Sequence, residues 1–455
     1  MSAFPALAEP LALSLETAVN NALRDHPALK SSAYEVTAAR AGLAAAKERA
    51  NPEIVIAPTL AGDQGTPEAV SISQPLELNG VRRVRTRIET AALRSALAER
   101  EVLEREVGLQ VRHAYWEAAL ALEIAEVERK NVEHSHTLAA AAQRQVELGN
   151  HPRMHQIKAD VELARARQQL IAAEAGAAQA MSALCAAMGA PPDASYALTE
   201  TLAFEAVGVE PTALVEAAMR TRPELRMAES VTAQAEGEVE AARLARKPDV
   251  AVTYWQETFD SSGGLGVSVN LPLFDWGGTR ERQAQARALA SARREAAAQV
   301  EQQIRLEVRQ AITALLSAEA QVRELQERVI EQSEQLAQIT SIGYQEGALN
   351  LLDDLEAQRT LRSVLLEHQA ALAEYIKARA TLEWASGVRL EARTAPSPSP
   401  AAAAPAASAP PGAIVVLPAS QPGLTGVVTL RRLPPTVQDV AATVRDSEYR
   451  TVTVP

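Results

Sequence analysis

Apolar residues recur at two different periods along this chain, and the switches between them mark out its elements. From Leu15 to Leu23 and from Ala28 to Arg49 the spacing is helical. The second stretch stops at Asn51-Pro52, because a residue before proline avoids the helical region. The period then falls to two: Val70, Ile72, Leu76 and Leu78 alternate with Ser71, Ser73 and Glu77. Far downstream Leu265, Val267, Val269, Leu271 and Leu273 alternate with Gly266, Ser268, Asn270 and Pro272. Strict alternation predicts strands with one apolar and one polar face. Ile54–Leu60 and Val250–Glu257 are their expected partners, joined through turn residues at Gly62–Pro67 and Asp260–Gly264.

After each strand pair the helical period returns and persists. Ile304, Val308, Ala311, Leu315, Ala318, Val322, Leu325, Val329, Gln332, Leu336 and Ile339 step by four and three, which predicts a coiled-coil seam. Val107, Val111, Ala114, Ala118, Ala121 and Ala125 form its counterpart. Val81 to Leu148 as one helix would be on the order of 100 Å long, too long for an ordinary globule. It ends at Gly149-Asn150-His151-Pro152, and a second helix returns to Gly189. The later copy turns at Gly347-Ala348-Leu349-Asn350 and returns to Gly387.

These elements are one unit written twice. His26-Pro27-Ala28-Leu29 returns as Arg222-Pro223-Glu224-Leu225 at an offset of 196, and the Val70 strand returns at 197. Gly149 and Gly189 return as Gly347 and Gly387 at 198. The unit is far longer than a solenoid repeat. The chain accordingly divides into a start at 1–10, a first repeat at 11–190 (hairpin about 53–78), a linker at 191–210, a second repeat at 211–390 (hairpin about 249–274) and a Pro/Ala-rich tail at 391–455. Ala6-Leu7-Ala8 resembles the cleavage end of a secretory signal without its charged and apolar regions, so 1–10 reads as a residual signal end or a disordered start.

Composition narrows the class. Ala, Glu, Gln, Arg and Leu dominate and aromatics make up only 3%, as in long helices packed through small residues. A net charge of −12 argues against a nucleic-acid partner. No run of 18 apolar residues predicts a spanning helix. The single Cys185 lies in an Ala-rich helix and reads as a small buried apolar residue. Five of the aromatics, Tyr254, Trp255, Phe259, Phe274 and Trp276, gather at the second hairpin. They fit either a packed hairpin core or the aromatic girdle where a barrel meets the membrane interface.

The duplicated halves, with Gln74-Pro75-Leu76-Glu77-Leu78-Asn79-Gly80 and Leu271-Pro272-Leu273-Phe274-Asp275-Trp276-Gly277-Gly278, resemble the TolC-like outer-membrane efflux proteins. The stretch Gly343–Gly347 followed by Leu352–Gln358 resembles that family's second-half turn, and Ser-Gln-Pro-Leu-Glu-Leu resembles its heavy-metal branch. The resemblance implies a mainly α homotrimer with a membrane β-barrel, each chain giving four strands, and long coiled-coil helices forming a periplasmic tunnel. It implies outer-membrane lipid around the barrel, and as partners a periplasmic adaptor and an inner-membrane pump of the RND type. The tips Gly149, Asn150, Gly347, Ala348 and Leu349 would dock the adaptor. Asp353, Asp354 and Glu356 would ring the tunnel entrance, with Lys158 or Arg153 pairing to them from a neighbour.

Other chemistry is thinly represented. His151 and His155 are spaced four apart at a helix start, so both could face one metal, but no third ligand accompanies them. His134 and His136 read as surface residues. No nucleophile elbow, phosphate loop or paired carboxylates indicate an enzyme, and no cofactor is implied. The competing reading is a soluble periplasmic coiled-coil protein, such as an adaptor or a structural rod. Two equal halves and amphipathic strands disfavour it.

Overall fold

The computed structural model describes residues 11–57, 69–149, 151–191, 194, 196–257, 263–270 and 276–391. In chain order they form β1 (Leu11–Leu13), α1 (Leu15–Asp25), α2 (Pro27–Lys47), β2 (Glu53–Ala57), β3 (Ala69–Leu76), α3 (Val81–Glu147) and α4 (Arg153–Ala187). The pattern then repeats as β4 (Tyr196–Leu198), α5 (Pro211–Thr221), α6 (Pro223–Leu244), β5 (Asp249–Glu257), β6 (Gly263–Asn270), α7 (Gly278–Glu324), a π turn (Leu325–Val329), α8 (Ile330–Gln345) and α9 (Leu351–Ser386). Asn150, Phe259, Phe274 and the stretches 1–10 and 392–455 lie outside the described residues.

Local chemistry sets the boundaries. Ser14 accepts from the Thr17 backbone N–H at 3.2 Å and starts α1. Proline opens α2, α5 and α6, where its missing N–H costs nothing. Glycines with positive φ stand at matched positions in the two halves: Gly80 and Gly277, Gly149 and Gly347, Gly189 and Gly387. β1 and β4 pair in parallel and tie the start of the first half to the start of the second.

The remaining strands make one antiparallel sheet in the order β2-β3-β5-β6. Its register places Ile54 opposite Ile72, Ile72 opposite Tyr254, and Tyr254 opposite Leu265. Val250 and Val252 face Val269 and Val267 in the same way. One face is therefore nearly all apolar, and these side chains are largely exposed in the single chain. The other face carries Ser71, Ser73, Thr253 and Ser268.

The helices bury their seams in two principal cores. One gathers Ile304, Val308, Leu315 and Val322 of α7 with Leu372, Tyr375 and Leu382 of α9. The other gathers Val107, Val111, Tyr115 and Trp116 of α3 with Leu184 and Cys185 of α4. Tyr115 pegs its core to β1 by donating to Leu13 O (3.0 Å), and Tyr375 pegs the other to the inter-repeat linker by donating to Glu205 O (2.6 Å). Arg222 is buried between Glu224 and Glu307 and stacks 4.4 Å from the Trp384 ring. By length and composition alone α4 is long and apolar enough to cross a membrane. It pairs along its length with α3 instead.

The predicted seam holds only as far as Val322. Beyond it the helix opens into the π turn, and the buried positions become Ser333, Ala337, Thr340 and Tyr344. Gln332, Leu336 and Ile339, expected in the seam, are exposed, and Leu325 and Val329 are only half-buried. The cause is one extra residue. Gly277 and Gly347 are one position further apart than Gly80 and Gly149. A π turn absorbs such an insertion without breaking the helix.

Candidate functional site: the helical tip and the strand sheet

The tip of the second half is built by a capping box. Asn350 Oδ1 accepts from the backbone N–H groups of Leu352 (2.7 Å) and Asp353 (3.2 Å), while Asp353 Oδ2 accepts from Asn350 N at 3.3 Å. Gly347, with φ +78°, reverses the chain just before it. Asp353 thus serves α9 as a cap and stays half-exposed, while Glu356 is exposed one turn on. Carboxylates are favoured here by the helix N-terminus.

Asp354 is placed differently from the other two acids. It is 1% exposed and faces the interior of the helical hairpin, not an entrance. Thr340 Oγ1 lies 3.4 Å from its Oδ1, and its Oδ2 has no hydrogen-bond partner. Burial raises its pKa, against the opposing pull of nearby His134. His134, expected at the surface, is half-buried with Nε2 unpartnered. The Tyr344 hydroxyl is likewise buried and unpartnered, its pKa raised by burial and by the Asp354 charge.

His151 and His155 stack at 5.0 Å between ring centroids, and His151 stacks on Tyr344 at 6.1 Å. Burial, then the charges of His151 and Lys158, lower the His155 pKa. Among the described residues no three His, Cys, Asp or Glu side chains converge as metal ligands. Arg153 and Lys158 are exposed, and neither pairs within the chain with Asp353 or Glu356.

Two other ion pairs, which sequence reasoning missed, join the second hairpin to the first. Arg362 of α9 grips Glu128 of α3 through Nε (3.0 and 2.9 Å) and Nη2 (2.6 Å). Arg359 of α9 donates through Nε to Glu162 of α4 at 3.0 Å and holds that carboxyl below its ordinary pKa. Positions 162 and 359 are 197 apart, so this pair joins nearly equivalent sites of the two repeats. The repeat offset was the available signal.

At the sheet, Tyr254 and Trp255 are neighbours on β5 and so point to opposite faces. Tyr254 joins the apolar face. Trp255 lies on the polar face, opposite Ser71 and Gly264, and covers Gly264 and Gly266, where a Cβ would meet its ring at 2.6 and 2.9 Å. It therefore fills a cross-strand gap on the face opposite Tyr254. Trp276, with φ +49°, is 97% exposed just before α7.

A family model described as outer membrane efflux protein matches residues 18–190 and again 214–388, once for each half. The chain belongs to the outer membrane efflux protein family. As an outer membrane efflux protein it is the outer-membrane channel component of a tripartite efflux system, a duct that works with an adaptor protein and an inner-membrane pump. It is 25% identical over 382 residues to the cobalt-zinc-cadmium resistance protein CzcC of Cupriavidus metallidurans, covering 82% of this chain and 89% of that protein. In fold it is similar to the channel CusC (TM-score 0.70, 18% identity, 82% of this chain and 92% of that one). The outer-membrane channel OprN is similar too (TM-score 0.68, 22% identity, 82% and 89%).

Proposed function

We propose that three copies of this chain close their sheets into one twelve-stranded barrel, continued by the helices as a tunnel whose periplasmic entrance is formed by the two tips. The observation that carries this is the sheet itself. β2 and β6 are open edges beside a continuous apolar face. In lipid, unpaired edge groups cost several kcal/mol each, so four strands need company. The apolar face would then meet lipid and the polar face, with Trp255, the lumen. Gly149, Asn150, Gly347, Ala348 and Leu349 present the adaptor-docking ends, with an RND-type pump behind the adaptor.

The cargo we propose is divalent heavy-metal cations, supported by the likeness to CzcC over most of both chains. Exposed Glu356 and half-exposed Asp353 suit that cargo, because threefold repetition makes them an acidic ring that attracts cations. Arg153 and Lys158 are left free to reach them from a neighbour. Cells lacking their own metal-efflux duct, given this chain with its cognate pump and adaptor, should gain tolerance to cobalt, zinc and cadmium. Tolerance to organic drugs alone would overturn the cargo, and no gain of any tolerance would overturn the duct. In planar bilayers, Asp353→Asn with Glu356→Gln should reduce cation preference and raise conductance. Unchanged selectivity would remove these carboxylates from the entrance.

A further inference from the structure

The second long helix carries two registers in one sequence, and the structure uses one of them. Ahead of the π turn the buried positions of the two halves match at an offset of 197: Val107 with Ile304, Val111 with Val308, Ala118 with Leu315, Ala125 with Val322. Beyond it they match at 198: Ser135 with Ser333, Ala139 with Ala337, Ala142 with Thr340. The extra residue is therefore lodged in Leu325–Val329, a segment with no buried side chain. Yet the apolar spacing ignores the insertion and runs on through Leu336 and Ile339 in the older phase. These two are 47% and 65% exposed, while Ser333 and Thr340 take the interior.

Neither register is fully satisfied. The observed one leaves a buried polar atom unpartnered on each of Asp354, Tyr344 and His134, and keeps the leucine and isoleucine exposed on the single chain. The other would bury the apolar pair and release Thr340 and Tyr344 from Asp354. The two differ by one residue, about 100° of helix rotation. A π turn can move along a helix by exchanging hydrogen-bond partners one at a time, and the reversal at Gly347 gives the displaced residue a place to go.

We propose that the π turn makes the distal end of the second hairpin a two-register element, with α8 turning between a Thr340/Tyr344-inward and a Leu336/Ile339-inward packing against α9. This rests on reading the tip as the tunnel entrance, since turning α8 frees the segment that carries Asp353 and Glu356. It supplies the bistable part that a mechanical gate needs.

Two cysteine pairs in a Cys185→Ala background test it on the full chain in detergent. Thr340→Cys with Asp354→Cys reports the observed register, and Ile339→Cys with Asp354→Cys the other. Under mild oxidation both pairs should form intramolecular crosslinks, the first faster. Deleting Gln326 removes the extra residue and with it the π turn, so α8 should stay in the Thr340-inward phase and the Ile339 pair should lose its crosslink. Failure of the Ile339 pair to crosslink within one chain in the full-length protein would overturn the proposal, as would its crosslinking only between chains. An assembled deletion variant that still forms the Ile339 crosslink would overturn it too. If the deletion variant does not assemble, the full-length pairs decide alone. Bilayer conductance of the uncrosslinked protein is the separate readout of the duct. Conduction without the second crosslink sinks the register switch and leaves the duct standing.

Discussion

Replacing Arg362 by Met tests the contact that joins the two hairpins most firmly. Glu128 lies inside the α3 seam with its side chain 4% exposed, and Arg362 supplies three close contacts to it. Its other donor is Asn131 Nδ2 at 3.4 Å, a weak substitute. Methionine keeps most of the stem's packing and deletes the guanidinium, so the loss reports the charge. Breaking a buried pair from one side costs about 3–5 kcal/mol. Arg362 is itself a quarter exposed, and its removal lets some water reach Glu128, so the low end, about 3 kcal/mol, is expected. Melting of the detergent-solubilised protein followed by circular dichroism should fall several degrees. Glu128→Leu combined with Arg362→Met should recover most of the loss, because an apolar pair of similar size replaces the ion pair at little cost. A shift for Arg362→Met within about 0.5 kcal/mol, the range of an ordinary surface substitution, would refute the pairing. So would a double variant as unstable as the single one.

Three further outcomes follow from the same packing. Leu315→Ala should destabilise by about 2–4 kcal/mol, whereas Val329→Ala, the last residue of the π turn, should cost under about 1 kcal/mol; equal costs would restore the uninterrupted seam. Asp354→Asn should stabilise the protein at neutral pH. The native pKa is raised, so between the unfolded value and that higher one the folded state holds more protons and stability falls as pH rises. The gain should vanish as pH drops below the unfolded pKa, and a gain independent of pH would contradict this origin. Gly347→Ala should cost about 1 kcal/mol through φ +78° alone, since a Cβ there meets no atom; a neutral melt would show that the turn relaxes.

Much of the architecture is legible in the sequence because the signals are long. A 67-residue helix and a strand alternation that recurs two hundred residues later leave few alternatives. The misread places are those where one residue decides. The apolar phase from Ile304 to Ile339 carries no mark of the insertion, and only comparison of the cap-glycine spacings exposes it. Within the aromatic cluster, adjacent positions on a strand cannot share a face, so Trp255 opposes Tyr254. Asp353 and Asp354 look alike as helix-start acids. Asp354, however, shares a stripe with Leu351 and Leu355, both buried, and that spacing was the available sign of its burial. The Arg362–Glu128 contact joins residues 234 apart on different helices, and no local pattern encodes it.

The most direct test of the whole account is the protein mass of the detergent-solubilised particle by native mass spectrometry. A sheet with two open edges and one exposed apolar face predicts a particle of three chains that does not persist without detergent. A monodisperse single chain, stable in buffer alone, would contradict the closed barrel and the duct built on it.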